Sequence, residues 1–267
     1  MTKRFEQYIE NHWVQWKKDR NYLRIGAPYR TDCAPMWFIG GRGIAEDTSP
    51  LVVLSLEPLV DDAHYPRQVA YSSRGLKDYK SWQLDYFDVF PTAELAGPKP
   101  QPYWRTMSAL VAGYRGVEST FDWNIFRGTY IELPLVPLHS AGHDRLAFDA
   151  AASYVEAQLR ERLRLVVASW PRATFFCAGR DVADALRGAP NTTDVALELP
   201  SDAHGNREKL GAALFRHAIH RRSVDIGDGA TVDVFVRRAP FTTGHQPKPA
   251  GCRLLGQLLR DRWGTSA

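Results

Sequence analysis

Apolar residues along this chain gather into a few unbroken runs and a few helical stripes. Leu51-Val52-Val53-Leu54 shows no polar alternation, which predicts a strand covered on both faces, as in a parallel sheet. The run ends at Glu57-Pro58, where proline must take the chain out of the sheet. Thr129–Val136 (TYIELPLV) and Ala173–Ala178 (ATFFCA) read as two more buried strands. Val224–Arg237 reads as a hairpin whose second arm is the fourth long strand, and Val195–Leu199 is an edge-strand candidate. Phe5, Tyr8, Ile9, Trp13 and Trp16 fall at helical spacing over 4–18. Further helices are expected at Tyr103–Tyr114, 145–169, Asp181–Leu186, Arg207–His220 and Gly251–Trp263.

Between these elements the pattern is weaker. Met36–Ile39 is a short strand candidate, and Leu59–Gln101 reads as a long loop, of a kind that is often functional when ordered. Gly40-Gly41-Arg42-Gly43 lacks the G-x-G-x-x-G spacing and the helix a dinucleotide loop needs, so it reads as a tight turn. Strands separated by helices predict an α/β fold, three-layer α/β/α, around a central, mostly parallel four-stranded sheet. No repeat or composition break divides residues 1–267, so a single domain is expected. In that domain 1–50 form an N-terminal helix and extension and 51–267 the core.

Composition changes this picture little. With 44% hydrophobic and 24% charged residues the chain has an ordinary globular make-up. No apolar run is long enough to span a bilayer, and the N-terminus lacks the apolar core of a secretory signal. The expectation is a cytoplasmic protein with no membrane partner. Cys33, Cys177 and Cys252 are odd in number and far apart, which argues against a disulfide framework and against a four-cysteine metal site. The net charge of +4 admits a polyanionic partner without requiring one.

The candidate chemistry starts with Glu57, at the carboxyl end of the first buried strand, where open α/β sheets place their ligands. A plain loop residue is the competing reading. The order of four core strands, with Glu57-Pro58 in SLEP at the first strand's end, resembles the uracil-DNA glycosylase superfamily over about Leu51–Trp263. The resemblance implies an N-glycosylase that flips a nucleotide from DNA and attacks its sugar with water. It implies Glu57 as the water-positioning group, Tyr71 as the aromatic on which the base stacks, and His245 (in TTGHQPKP) as the leaving-group or DNA-loop residue. Glu132 falls near the family's base-reading amide, with Leu133 as an alternative alignment, and His139 and Ser140 line the same mouth. Cys177-Ala178-Gly179-Arg180 resembles the third strand's turn into its helix. Arg237, Arg238, Lys248 and Arg253 would contact the DNA backbone.

This chain departs from the family in ways that bear on substrate. It has no GQDPY-like motif, no intact His-Pro-Ser-Pro loop and too few cysteines for the iron–sulfur branch. A carboxyl in place of an amide at Glu132 accepts from an exocyclic amine such as cytosine N4, so a modified or cytosine-derived pyrimidine is the expected base. A buried carboxyl that merely holds a loop is the alternative for Glu132. No cofactor and no metal are expected. Two rival readings stand beside the glycosylase: a catalytically inactive protein of the same fold that binds nucleic acid or a protein partner, and a small-molecule hydrolase built on His139–Asp144, whose His139, His143 and Asp144 could join a metal site. His64, and the basic run Arg207, Lys209, Arg216, Arg221 and Arg222, read as exposed loop and solvated helix face. Single- or double-strand preference and biological setting (repair, nucleotide modification or phage defence) stay open.

Overall fold

A six-stranded mixed sheet organises the chain, in the order β2-β1-β3-β6-β5-β4. The computed structural model describes residues 2–25, 29–56, 64–89, 102–118, 122–139, 158–187, 193–241 and 245–263. Strands β1 (Leu51–Ser55), β2 (Tyr130–Pro134), β3 (Thr174–Ala178) and β6 (Ala230–Arg237) form a parallel block. Register runs across it through Glu132, Val53, Phe176 and Phe235. Strands β5 (Ile219–Gly227) and β4 (Thr193–Leu197) extend the β6 side antiparallel. The parallel block of four is thus part of a larger, mixed sheet than the sequence predicts. The extra strands come from the hairpin and from the edge candidate, whose residues are mostly exposed.

Unbroken apolar runs cover both faces of the parallel strands because alternate side chains point to opposite sides. Val52, Leu54, Ile131, Leu133, Phe175 and Val236 join one core cluster; Leu51, Val53, Tyr130, Phe176 and Phe235 join the other. Helix α1 (Thr2–Lys18), the helix over 158–169 (α7) and α8 (Arg180–Arg187) pack on the first face through Phe5, Ile9, Leu163, Val166 and Val182. The second face is covered by α5 (Pro102–Arg115) and α12 (Pro249–Arg260), with Trp104, Met107, Leu110, Leu255 and Leu259. These two helices meet backbone to backbone. A Cβ on Gly113 would lie 2.0 Å from the Arg253 carbonyl oxygen, and one on Gly256 2.1 Å from that of Leu110.

Several local expectations are corrected. Within Leu59–Gln101, read as loop, the described residues form three helices: α2 (His64–Arg74), α3 (Leu76–Leu84) and α4 (Tyr86–Val89). Tyr79, Gln83 and Tyr86 fall at helical spacing and are buried, which is why the segment coils. After the short helix α6 (Trp123–Arg127) and β4 comes α9 (Ser201–Gly205). The expected helix Arg207–His220 is instead two short ones, α10 (Arg207–Leu210) and α11 (Ala212–Phe215), followed by the start of β5. Gly211 breaks it at φ +90, where the Lys248 backbone approaches too closely for a Cβ. Met36–Ile39 contributes an isolated bridge, Ile39 to Glu132, and no strand. Of 145–169 the described part, 158–169, is helical. All three cysteines are free and buried. No helix among the described residues is long and apolar enough to cross a membrane.

Candidate functional site

A few polar groups interrupt the apolar faces of the parallel strands. On the face covered by α5, alternation places Tyr130 and Glu132 side by side at the start and middle of β2, with Ser55 of β1 and Arg237 of β6 nearer the strands' carboxyl ends. Helix α5 runs back against the strands. Its Tyr103 reaches Glu132, while its Tyr114 hydroxyl meets Thr174 at the start of β3.

Glu132 is 4% exposed. Its Oε2 accepts from the Tyr130 hydroxyl at 2.8 Å and from the Tyr103 hydroxyl at 3.0 Å, and the two hydroxyls lie 3.0 Å from each other. The Ser55 hydroxyl stands beside the carboxyl without a bond of good geometry. Burial pushes the Glu132 carboxyl above the usual carboxylate range, against the opposing pull of its hydroxyl neighbours. Burial, reinforced by the Glu132 charge, drives both tyrosines well above the ordinary phenol. The oxygen triangle favours the same state. Three mutual contacts need three protons, and two phenols supply only two; a protonated Glu132 supplies the third. A neutral carboxyl here can both donate and accept.

From this triangle an aromatic wall runs to Tyr71. Tyr86 packs at 6.4 Å between ring centroids from Trp104, beside Tyr103, and at 5.4 Å from Trp82. Trp82 in turn stacks on Tyr71 at 4.7 Å and 23°. Tyr71 and Glu132 are therefore joined by one run of ring contacts. Tyr71 is already engaged, however: the Trp82 ring and the Arg74 guanidinium, 4.9 Å from its centroid, both lie on it.

The other sequence candidates fall out as follows. Glu57 and Ser140 lie outside the described residues, as do His143 and Asp144 of the hydrolase reading. His64 begins α2. His139 is fully buried rather than lining a mouth; its Nε2 bonds Gln68 Oε1, and Gln68 Nε2 donates to the Ala34 carbonyl at 2.9 Å. It thereby ties down α2, the helix that carries Tyr71. Arg237, expected on the DNA-facing surface, is also fully buried. Its Nη1 donates to the carbonyls of Ala239 and Pro240, and its Nη2 to those of Ala213 (3.1 Å) and His245 (2.6 Å). Burial lowers this guanidinium to about 10, so it stays charged at neutral pH. Its role is to bind loops together, and a phosphate cannot reach it. Arg238 bonds Asp184 at 3.0 Å, and Arg253 Nη2 donates to the Glu118 carbonyl at 2.7 Å. Lys248 and His245 are exposed.

Sequence reading missed Tyr103, Tyr130, Trp82 and His217. Tyr130 was legible, since residues i and i+2 of a strand share a face. Tyr103 reaches Glu132 across 29 positions, a contact no local spacing reveals. His217, just before β5, has its ring centroid 6.0 Å from that of His245. No group of three or more His, Cys, Asp or Glu side chains that could hold a metal ion occurs among the described residues. Comparison with family models, with curated proteins and with solved structures found no match.

Proposed function

We propose that this protein is a DNA N-glycosylase-like hydrolase that releases a cytosine-derived or otherwise modified pyrimidine from a flipped-out nucleotide. The observation that carries the reading is the buried Glu132 carboxyl, clasped by two phenols in the middle of β2 and continuous with a run of packed aromatic rings. A base entering beside it meets a group that accepts from an exocyclic amine and, when neutral, donates to a ring nitrogen. Such edge reading in a pocket walled by aromatics is how flipped bases are held. Glu57, two residues beyond β1, is the carboxylate in this reading that orients water and balances the sugar's developing positive charge. His245, exposed beyond β6, attends the departing base. The four parallel strands with helices on both faces accord with the three-layer glycosylase arrangement.

A second reading is a protein of this fold that binds nucleic acid without cleaving it. It draws on Tyr71, whose ring is already covered by Trp82 and Arg74. Mass detection of free bases released from a panel of uracil- and modified-cytosine-containing oligonucleotides separates the two. The proposal expects release of a modified cytosine, abolished in Glu57→Ala. Release of uracil alone rules out the substrate assignment, and DNA binding with no release from any member of the panel selects the second reading.

A further inference from the structure

His217 and His245 flank the open end of the β5–β6 hairpin, where Ile219 pairs with Arg237, one just before β5 and the other in the loop after β6. Their rings lie 6.0 Å apart between centroids. A buried guanidinium ties the two segments further. Arg237 Nη2 holds the Ala213 carbonyl, four residues before His217, and the His245 carbonyl itself. A single planar fork thus fixes both segments that present an imidazole. The loop is pinned a second time by the hydroxyl of Thr106 on α5, which donates to Gln246 at 3.1 Å, and a third by Lys248, whose amide donates to the Leu210 carbonyl at 3.1 Å. An exposed imidazole, His245, and a half-buried one, His217, on a scaffold this well tied are a constructed feature.

The charges that act on the pair are positive. Arg237 lies beneath it, Arg216 precedes His217, and the two imidazoles face each other. Lys248 follows three residues after His245 and packs against Gly211. From α12 the nearest titratable group is the Cys252 thiol, pushed up to about 12 by burial and so uncharged. From β5, His220 is taken by Asp194 at 3.1 Å; from β6, Arg238 is taken by Asp184. The cations keep His217 below the ordinary imidazole value, after burial as the larger cause. A spot that repels its own protons in this way accepts them readily once an anion arrives.

We infer that His217 and His245 form a proton-linked site for a phosphoryl group, with Arg216 and Lys248 at its rim and the buried Arg237 tying together the segments that carry them. The site takes a phosphate ester or polyphosphate, and it stands whether or not the protein cleaves a glycosidic bond. Each phosphate bound favours the imidazolium form, so affinity rises as pH falls through the imidazole range.

Titration of the full chain with inorganic pyrophosphate, and in a second arm with a short single-stranded deoxyoligonucleotide, tests this at about pH 5.5 and about pH 8. Binding about tenfold tighter at the lower pH is expected, with the pH dependence lost in His217→Gln and in His245→Gln. The tighter arm tells whether the phosphoryl group belongs to a small ester or to a nucleic-acid backbone. No binding in either arm at the lower pH overturns the inference, and so does binding that both variants leave unchanged. A readout on the unaltered chain guards against misfolded variants: the His217 and His245 ring resonances should move together on adding pyrophosphate. Movement confined to other histidines counts against the site. Base release is scored separately, so failure of the glycosylase reading leaves this result standing.

Discussion

Glu132 and Arg237 sit on the same face of one sheet, three strands apart, and both are buried. They solve the burial of an ionisable group in opposite ways. Glu132 meets hydroxyls and can shed its charge by taking a proton, so burial makes it a tunable acid. Arg237 cannot lose its charge at neutral pH, and it meets four carbonyl dipoles from three stretches of chain and the ring of Phe241. A group that can change its protonation state is chemistry in waiting. One that cannot becomes a structural tie. The difference also explains what each organises: two phenols packed on Glu132, and two loops tied by Arg237.

The comparison breaks most visibly at Arg237. Arg237→Leu removes the fork and leaves its carbonyls buried and unpaired, for an expected loss of about 3–5 kcal/mol in urea unfolding. A loss below about 1 kcal/mol would mean that the loops hold themselves. Next in size is Glu132→Gln. The folded-state value of Glu132 is raised, so the stability it lends is whole below about pH 4.3 and is lost as pH climbs toward the folded value. Glutamine has no proton to lose. The variant should match the native chain near pH 4 and exceed it in stability near pH 8. A difference that does not vary with pH would show that folding leaves the Glu132 carboxyl unshifted. The smallest effect belongs to Arg238→Gln. That residue's bond to Asp184 is half-exposed, so a change of roughly 0–1 kcal/mol, shrinking further with added salt, is expected in the same unfolding assay.

How much of this could be read from the chain follows from the range of the interactions. The parallel strands were legible because their apolar runs are local and unbroken, and the hairpin because a Gly-Asp-Gly turn separates two runs, at 227–229. The helices of 64–89 were legible in principle: Tyr79, Gln83 and Tyr86 keep helical spacing, but the density of tyrosine and aspartate masks it. The helix expected at 207–220 failed at Gly211, whose positive φ answers to the backbone of Lys248, a neighbour 37 positions away. Glu132 stands out in the sequence as a carboxyl inside an apolar strand, while its partner Tyr103 is invisible to spacing. Arg237 was misread because an arginine ending a strand is ordinarily solvated, and only the return of Ala239, Pro240 and His245 against it buries it.

The chain by itself determined the alternation of α and β elements, the buried parallel strands and the side of the sheet each strand residue occupies. Those features rest on periodicity and on the covalent direction of the side chain, which travel with the sequence. Tertiary structure alone decided which polar groups meet: an acid with two phenols, a guanidinium with carbonyls, one imidazole with another. Those meetings depend on where distant segments return, and burial then sets whether each group keeps its charge.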